Sequence, residues 1–298
     1  MARQSIQYLI HPLGLSIRAM QWGMSGPSVL LIHGLGSRCE AWEGTASRLA
    51  ALGLRCIAID TPGHGLSCKG ADFDFSAAGH VRLIEAVCDE LGEEKVDLVA
   101  SSLGGLHAAA FAAKKPGRLR TLALIGSVGL AAMTPERRNW TATYLHDMSR
   151  EGTRSRLQRG VFDPNLFSEA YFEETFRVNN SAGAASSFAA ISRYYAGSIN
   201  DDVQLDALAA VSAHVPTLLL WGKDDPTVTY DVALQAIGRL PGGTLIGIEG
   251  TKHMPQIERP GISARHISRH IAKKSSLALP SELQRVKGEP AVEVIEYR

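Results

Sequence analysis

The chain has 298 residues, 45% of them hydrophobic, and its 31 basic and 30 acidic side chains leave a formal net charge of +1. That length holds one large α/β domain with an insertion, or two small domains, and the ordinary apolar share can bury a sizeable core. The even charge balance excludes a polybasic nucleic-acid or membrane surface, and no run reaches the roughly 18–20 apolar residues of a membrane span.

Four cysteines, Cys39, Cys56, Cys68 and Cys88, are scattered without a CxxC pair, so isolated reduced thiols are expected and no metal site. The start of the chain, Met1 to Ser5, leads into no long apolar segment. The expectation is a soluble, cytoplasmic protein with neither nucleic acid nor membrane as partner.

Taken in order, Ile6–Ile10 and Leu15–Trp22 flank the turn His11-Pro12-Leu13-Gly14 and predict a hairpin. Val29–Ile32 is a short continuous apolar run, as expected of a strand buried on both faces. Helix-like Ala41–Leu52, strand Cys56–Ile59, helix Ala77–Leu91, strand Val96–Ala100, helix Leu103–Ala113 and strand Leu122–Ile125 follow. After an interruption come strand Thr217–Trp221, helix Val232–Leu240, strand Thr244–Ile248 and helix Ile262–Ala272. Strands alternating with helices imply crossover connections and a mostly parallel sheet, whose functional residues gather at the C-terminal ends of its strands.

The interruption runs from Leu130 to about Gln204. It has no clear buried strand and carries Tyr144, Phe162, Phe167, Tyr171, Phe172, Phe176, Phe188, Tyr194 and Tyr195. Several helices inserted after a strand's C-terminal end are expected to form a cap over the site. Most of these aromatics should make the insert's own small core, with a minority on a pocket wall. The expected organisation is a core of residues 1–130 and 205–274, a helical cap of residues 131–204, and a tail of residues 275–298. In the tail only Leu277–Leu279 and Val292–Ile295 are apolar, and its role is open.

Four segments carry chemistry. In Ala100-Ser101-Ser102-Leu103-Gly104, a buried strand turns sharply into a helix with Ser102 at the apex, the geometry that exposes a nucleophilic hydroxyl. Ala100 stands where glycine is usual. Reading Ser101 as the nucleophile would put Leu103 where a small residue is required. Ile32-His33-Gly34-Leu35-Gly36 follows the first buried strand, and its glycines let the backbone aim an N–H at a developing oxyanion. The expected donors are the backbone N–H groups of Leu35 and Leu103. His33, and His64 in the loop Asp60–Ser67, are expected to hold loop structure rather than act as the base. Trp221-Gly222-Lys223-Asp224-Asp225 ends a strand with two carboxylates; Asp225 is favoured as the acid and Asp224 as a solvated neighbour. His253, between the last core strand and the last helix, is the expected base, since imidazole exchanges protons near neutrality.

In this order and spacing the chain resembles the α/β-hydrolase superfamily over about residues 6–271. The resemblance rests on His33-Gly34-Leu35-Gly36, the Asp-x-Pro-Gly-His-Gly-x-Ser run of residues 60–67, Ser102-Leu103-Gly104-Gly105, Trp-Gly-x-x-Asp (221–225) and His-x-Pro-x-x-Glu-x-Pro (253–260). It implies an α/β-hydrolase fold with a mostly parallel eight-stranded sheet flanked by helices, an inserted helical cap after the sixth strand, and a hydrolase that needs no cofactor. The reaction expected first is carboxylic ester hydrolysis through an acyl-enzyme on Ser102, with lactone hydrolysis close behind. One rival is C–C cleavage of vinylogous 1,5-diketones from aromatic-ring breakdown; enzymes of that kind commonly carry Asn before the nucleophile and Trp after the base, where this chain has Ser101 and Met254. Another rival is a non-catalytic ligand-binding protein on the same fold. The partner is a small-molecule ester, lactone or diketone, and a homodimer is compatible with the reading. Arg137, Arg138, Arg154, Arg156, Arg159, Arg177 and Arg193 of the insert are candidates for a carboxylate clamp, most of them expected on solvated helix faces.

Overall fold

The computed structural model describes residues 5–275, 277 and 289–297. Strands β1 (Ser5–Ile10), β2 (Ile17–Trp22), β3 (Ser28–Ile32), β4 (Arg55–Ile59), β5 (Val96–Ser101), β6 (Leu119–Ile125), β7 (Thr217–Gly222), β8 (Thr244–Ile248) and β9 (Val292–Glu296) form one sheet in the order β1-β2-β4-β3-β5-β6-β7-β8-β9. β1 and β2 form the expected hairpin, β2 lies antiparallel on β4, and β3 to β8 are mutually parallel.

The central strands are mostly apolar because both faces are covered, and the charged exception in β5, buried Asp97, is paired with Arg120 (2.9 Å) and accepts from the Thr121 hydroxyl (2.7 Å) of β6. Side chains alternate across the sheet. Leu30 and Ile32 of β3 with Leu98 and Ala100 of β5 join the core under helices α2 (Ala77–Glu90), α3 (Leu103–Lys114), α8 (Leu205–Val211) and α9 (Tyr230–Ile237). Val29, Leu31 and Val99 join the opposite core, under α1 (Glu43–Ala51) and α11 (Pro260–Ala272).

The sheet has nine strands, where eight were expected. The extra strand comes from the tail: β9 runs antiparallel to β8, pairing Thr244 with Glu296 and Ile248 with Val292. Without it β8 would present a row of unpaired backbone groups. Val292 meets one core and Ile295 the other, so a five-residue segment is held from both faces. Its apolar residues are too few for a periodicity to stand out in sequence. Of the other apolar tail piece, Leu277–Leu279, all but Leu277 lies outside the described residues, and Leu277 packs against the α1/α11 core.

Between β6 and α8 the chain leaves the sheet and builds helices α4 (Pro135–Tyr144), α5 (Arg150–Arg159), α6 (Glu169–Asn179) and α7 (Ala184–Gly197). Three of them start on side-chain caps that accept a backbone N–H: Thr134 from Arg137, Ser149 from Gly152 and Ser168 from Tyr171. A small core of Val161, Phe167 and Phe172 fills part of the insert. Arg38, just past the turn after β3, reaches Glu174 of α6 at 2.8 Å and ties the insert to the sheet domain. Among the described residues no helix is long and apolar enough to cross a membrane.

Candidate active site

The turn between β5 and α3 places the serine hydroxyl. Ser102 has φ 53° and ψ −120°, a region that costs a non-glycine residue about 1–3 kcal/mol unless its surroundings impose it. Here they do. Its N–H donates to the Ile125 carbonyl (2.9 Å), and its own carbonyl accepts from Gly105 and Val128 (both 3.0 Å). Close packing requires small residues on either side: a Cβ on Gly104 would lie 2.4 Å from the His33 carbonyl oxygen. Ala100, the departure from the usual pattern, is fully buried between β3 and β6, and its methyl group packs into the core.

His253 and Asp225 converge on this hydroxyl from the ends of β8 and β7. The Ser102 Oγ lies 2.9 Å from His253 Nε2, and His253 Nδ1 lies 2.7 Å from Asp225 Oδ2. The second oxygen of Asp225 accepts from the backbone N–H groups of Thr227 (2.7 Å) and Val228 (3.0 Å). Asp225 is therefore buried and fixed in direction, and its contact with Nδ1 turns the His253 ring so that Nε2 faces the serine hydroxyl. Asp224 points to solvent, as expected of the bland neighbour.

The turn after β3 abuts the serine: a Cβ on Gly34 would stand 2.8 Å from the Ser102 Cβ. Leu35 and Gly36 line the same cavity as Ser102. Leu103 is the first residue of α3, where an N–H has no carbonyl partner within the helix and is free to donate elsewhere. Gly105 packs against Ser127 in the loop after β6.

His33 and His64 serve the loops. His33 Nδ1 donates to the Gly34 carbonyl (2.7 Å), and Nε2 accepts from the Thr61 N–H (3.1 Å), which uses both ring nitrogens. Burial pushes the His33 imidazole down to about 4 and that of His64 to about 3, so both are neutral. Neither is hydrogen-bonded to Ser102.

Glu258 received no role from sequence. One of its oxygens accepts from Lys252 N–H (2.8 Å), beside the base, and the other from Phe162 N–H (2.7 Å) in the insert. Its place five residues after His253, at the end of α10 (Pro255–Glu258), is the only signal sequence offered. Met254 bridges the same two regions: its N–H donates to the Gly160 carbonyl (3.2 Å), and its side chain packs on the Phe167 and Phe172 cluster.

Ser102 and His253 open into a cavity of about 140 Å³ roofed by the insert. Tyr144, Tyr171 and Tyr195 are the members of the nine-residue aromatic set that reach it, a minority, as expected. Trp140, which was not in that set, lines it too.

Residues 27–260 match the family model described as alpha/beta hydrolase fold, and the chain belongs to that family. Within it, a 2-hydroxymuconate semialdehyde hydrolase from Pseudomonas putida is 28% identical over 253 residues, covering 85% of this chain and 89% of its own. A 2-hydroxy-6-oxononadienedioate/2-hydroxy-6-oxononatrienedioate hydrolase from Klebsiella pneumoniae is 27% identical over 254 residues, covering 82% and 86%. The solved structure of a serine hydrolase from the polyaromatic hydrocarbon-degrading bacterium Cycloclasticus zankles superposes with a TM-score of 0.78 at 22% identity, covering 88% of this chain and 96% of that one.

Proposed function

We propose that the chain is a serine hydrolase whose Ser102 attacks the ketone of a vinylogous 1,5-diketone and cleaves the adjacent C–C bond. The observation that carries the reading is the Ser102–His253–Asp225 relay at the floor of a cavity covered by the insert. The choice of bond is supported by the two relatives above, both named as hydrolases of ring-cleavage products and alike over most of their length. This places C–C cleavage ahead of the ester hydrolysis favoured from sequence.

In the proposed reaction His253 Nε2 takes the Ser102 proton as Oγ adds to the carbonyl carbon. The alkoxide formed lies against the Leu35 and Leu103 N–H groups. Collapse expels a carbon leaving group whose electron pair is delocalised onto the remote ketone and which picks up a proton from the His253 imidazolium. Water deprotonated by His253 then releases the acid from Ser102. No step calls on a cofactor.

Ester hydrolysis is the second reading, favoured by Ser101 and Met254 in place of the Asn and Trp common in C–C hydrolases. Its leaving group departs as an alkoxide from the same intermediate. A direct comparison decides: 2-hydroxy-6-oxo-2,4-heptadienoate followed by loss of its dienol absorbance, against p-nitrophenyl butyrate. The expected result is a kcat/KM at least tenfold higher for the dienoate, and the reverse order makes the protein an esterase. Ser102→Ala should lower turnover of either substrate by at least about 10³-fold. A fluorophosphonate that leaves Ser102 unlabelled in folded protein would reject both readings.

A further inference from the structure

The loop that carries Asp225 is gripped at both ends by one carboxylate of the tail. Lys223, the first residue after β7, donates to Glu293 of β9 (2.9 Å). Tyr230, the first residue of α9, donates its hydroxyl to the same oxygen, Glu293 Oε2 (3.0 Å). The Lys223 ammonium also stands 5.7 Å from the centroid of the Tyr230 ring, so the three side chains form one cluster. Glu249, just past β8, lies further from Lys223, at 3.6 Å.

The strands are shaped for this contact. Glu293 stands opposite Gly247 in the β8–β9 ladder. A Cβ on Gly247 would lie 2.3 Å from the Tyr230 hydroxyl, so the missing side chain lets the phenol cross β8 and reach the tail. The tail strand is itself anchored: Arg265 of α11 pairs with Glu289 (2.6 Å) ahead of it, and the Glu249 N–H donates to the Ala291 carbonyl (3.0 Å). Hydrogen bonds from Lys223 and then Tyr230 hold the Glu293 carboxyl below its usual range, so it is charged near neutrality.

Between the two grips the loop has little slack. A Cβ on Gly222 would lie 2.0 Å from the Lys252 carbonyl oxygen, and the Asp224 N–H donates to the Thr251 carbonyl (3.1 Å). The Asp225 loop therefore bears directly on the loop that carries His253. With the Glu293 side chain 42% exposed, its ion pair adds little to folding stability. A relay is more sensitive, because a misplacement of about 1 Å in a reacting group can cost a hundredfold in rate.

We propose that Glu293 of the tail is a positioning residue: by holding Lys223 and Tyr230 together it sets the place of Asp225 against His253. This rests on Asp225 serving as the acid of the Ser102–His253–Asp225 relay, but not on which bond is cut.

The test reads the rate at which a fluorophosphonate labels Ser102, kcat and KM for p-nitrophenyl butyrate and 2-hydroxy-6-oxo-2,4-heptadienoate, and the urea midpoint. Glu293→Thr keeps the β preference of the strand but is too short to reach either donor. It should slow labelling and lower kcat at least about threefold, with KM and the urea midpoint close to those of the wild type. Glu293→Gln, which keeps an acceptor without the charge, should restore part of the rate. Tyr230→Phe/Lys223→Met leaves the tail strand untouched and should give the same loss, and adding Glu293→Thr to it should cost nothing further.

A loss under threefold in both labelling and kcat, or a loss matched by the fraction of unfolded protein, overturns the positioning role. Asp225→Asn separates this from the proposed reaction. If it suppresses labelling while Glu293→Thr and Tyr230→Phe/Lys223→Met do not, Glu293 alone loses its role. If Asp225→Asn also labels at the wild-type rate, the relay itself is rejected, and the positioning role with it.

Discussion

Asp225 shows how much one side chain is asked to do. It ends a strand, accepts two backbone N–H groups with one oxygen and orients the proposed base with the other. Asp225→Asn keeps the shape but presents an amide to one of those donors or to the imidazole, which favours the wrong tautomer of His253. The expected loss in kcat is of the order of 10⁴-fold, with folding retained. Steady-state turnover and the rate of fluorophosphonate labelling should fall together; a loss under tenfold would remove Asp225 from the role. At this scale sequence was most informative, because Ser102, Asp225 and His253 each follow a recognisable buried strand. It placed Glu258 in the run of residues 253–260 but gave it no role, because a glutamate on a short helix looks like any solvated residue until its two donors are in view.

Elements meet at that glutamate. α10 carries Glu258, the loop before it carries His253, and Phe162 belongs to the connection between α5 and α6. Burial raises the Glu258 carboxyl above its usual range, while the two N–H donors, Arg259 and Lys252 favour the charged form. Truncating it leaves two part-buried N–H groups without that acceptor, each costing less than the about 1–3 kcal/mol of a fully buried one because water can reach it. Glu258→Ala should lower unfolding stability by about 1–2 kcal/mol in urea titration and reduce kcat as the His253 loop loosens. If stability falls while kcat holds, the link is structural only. The insert helices were expected as a group from the loss of strand patterning. Which arginines and aromatics face the cavity was not legible: α4 carries two of each and α5 four arginines, and only packing decides which face turns inward.

For the whole molecule, buried histidines set the behaviour in acid. His80 and His107 stack at 3.4 Å beside His33 and His64, behind the nucleophile turn. Burial holds His80, His266 and His270 at about 4, in line with His33, and His107 well below its ordinary value. These groups are neutral in the fold but titrate near 6.5 once unfolded, so between pH 6.5 and about 4 the unfolded chain binds more protons. Stability is full above pH 6.5 and is lost as pH falls toward 4. The urea midpoint should therefore drop between pH 7 and 5 with a slope exceeding that of one proton, about 1.4 kcal/mol per pH unit. A flat profile would mean that the cluster admits water and protonates freely.

The amino-acid sequence by itself determined the alternating strands and helices, the insert after β6 and the order of the chemistry-bearing loops, because periodicity and turn chemistry are local. The tertiary structure decided the rest. It brought residues 123 and 151 positions apart from Ser102 into one relay. It recruited Val292–Glu296 as a ninth strand. It also turned three of seven candidate arginines toward the cavity. Each of those depends on which surfaces meet, and burial and the pairing of charges are properties of contacts that no single segment contains.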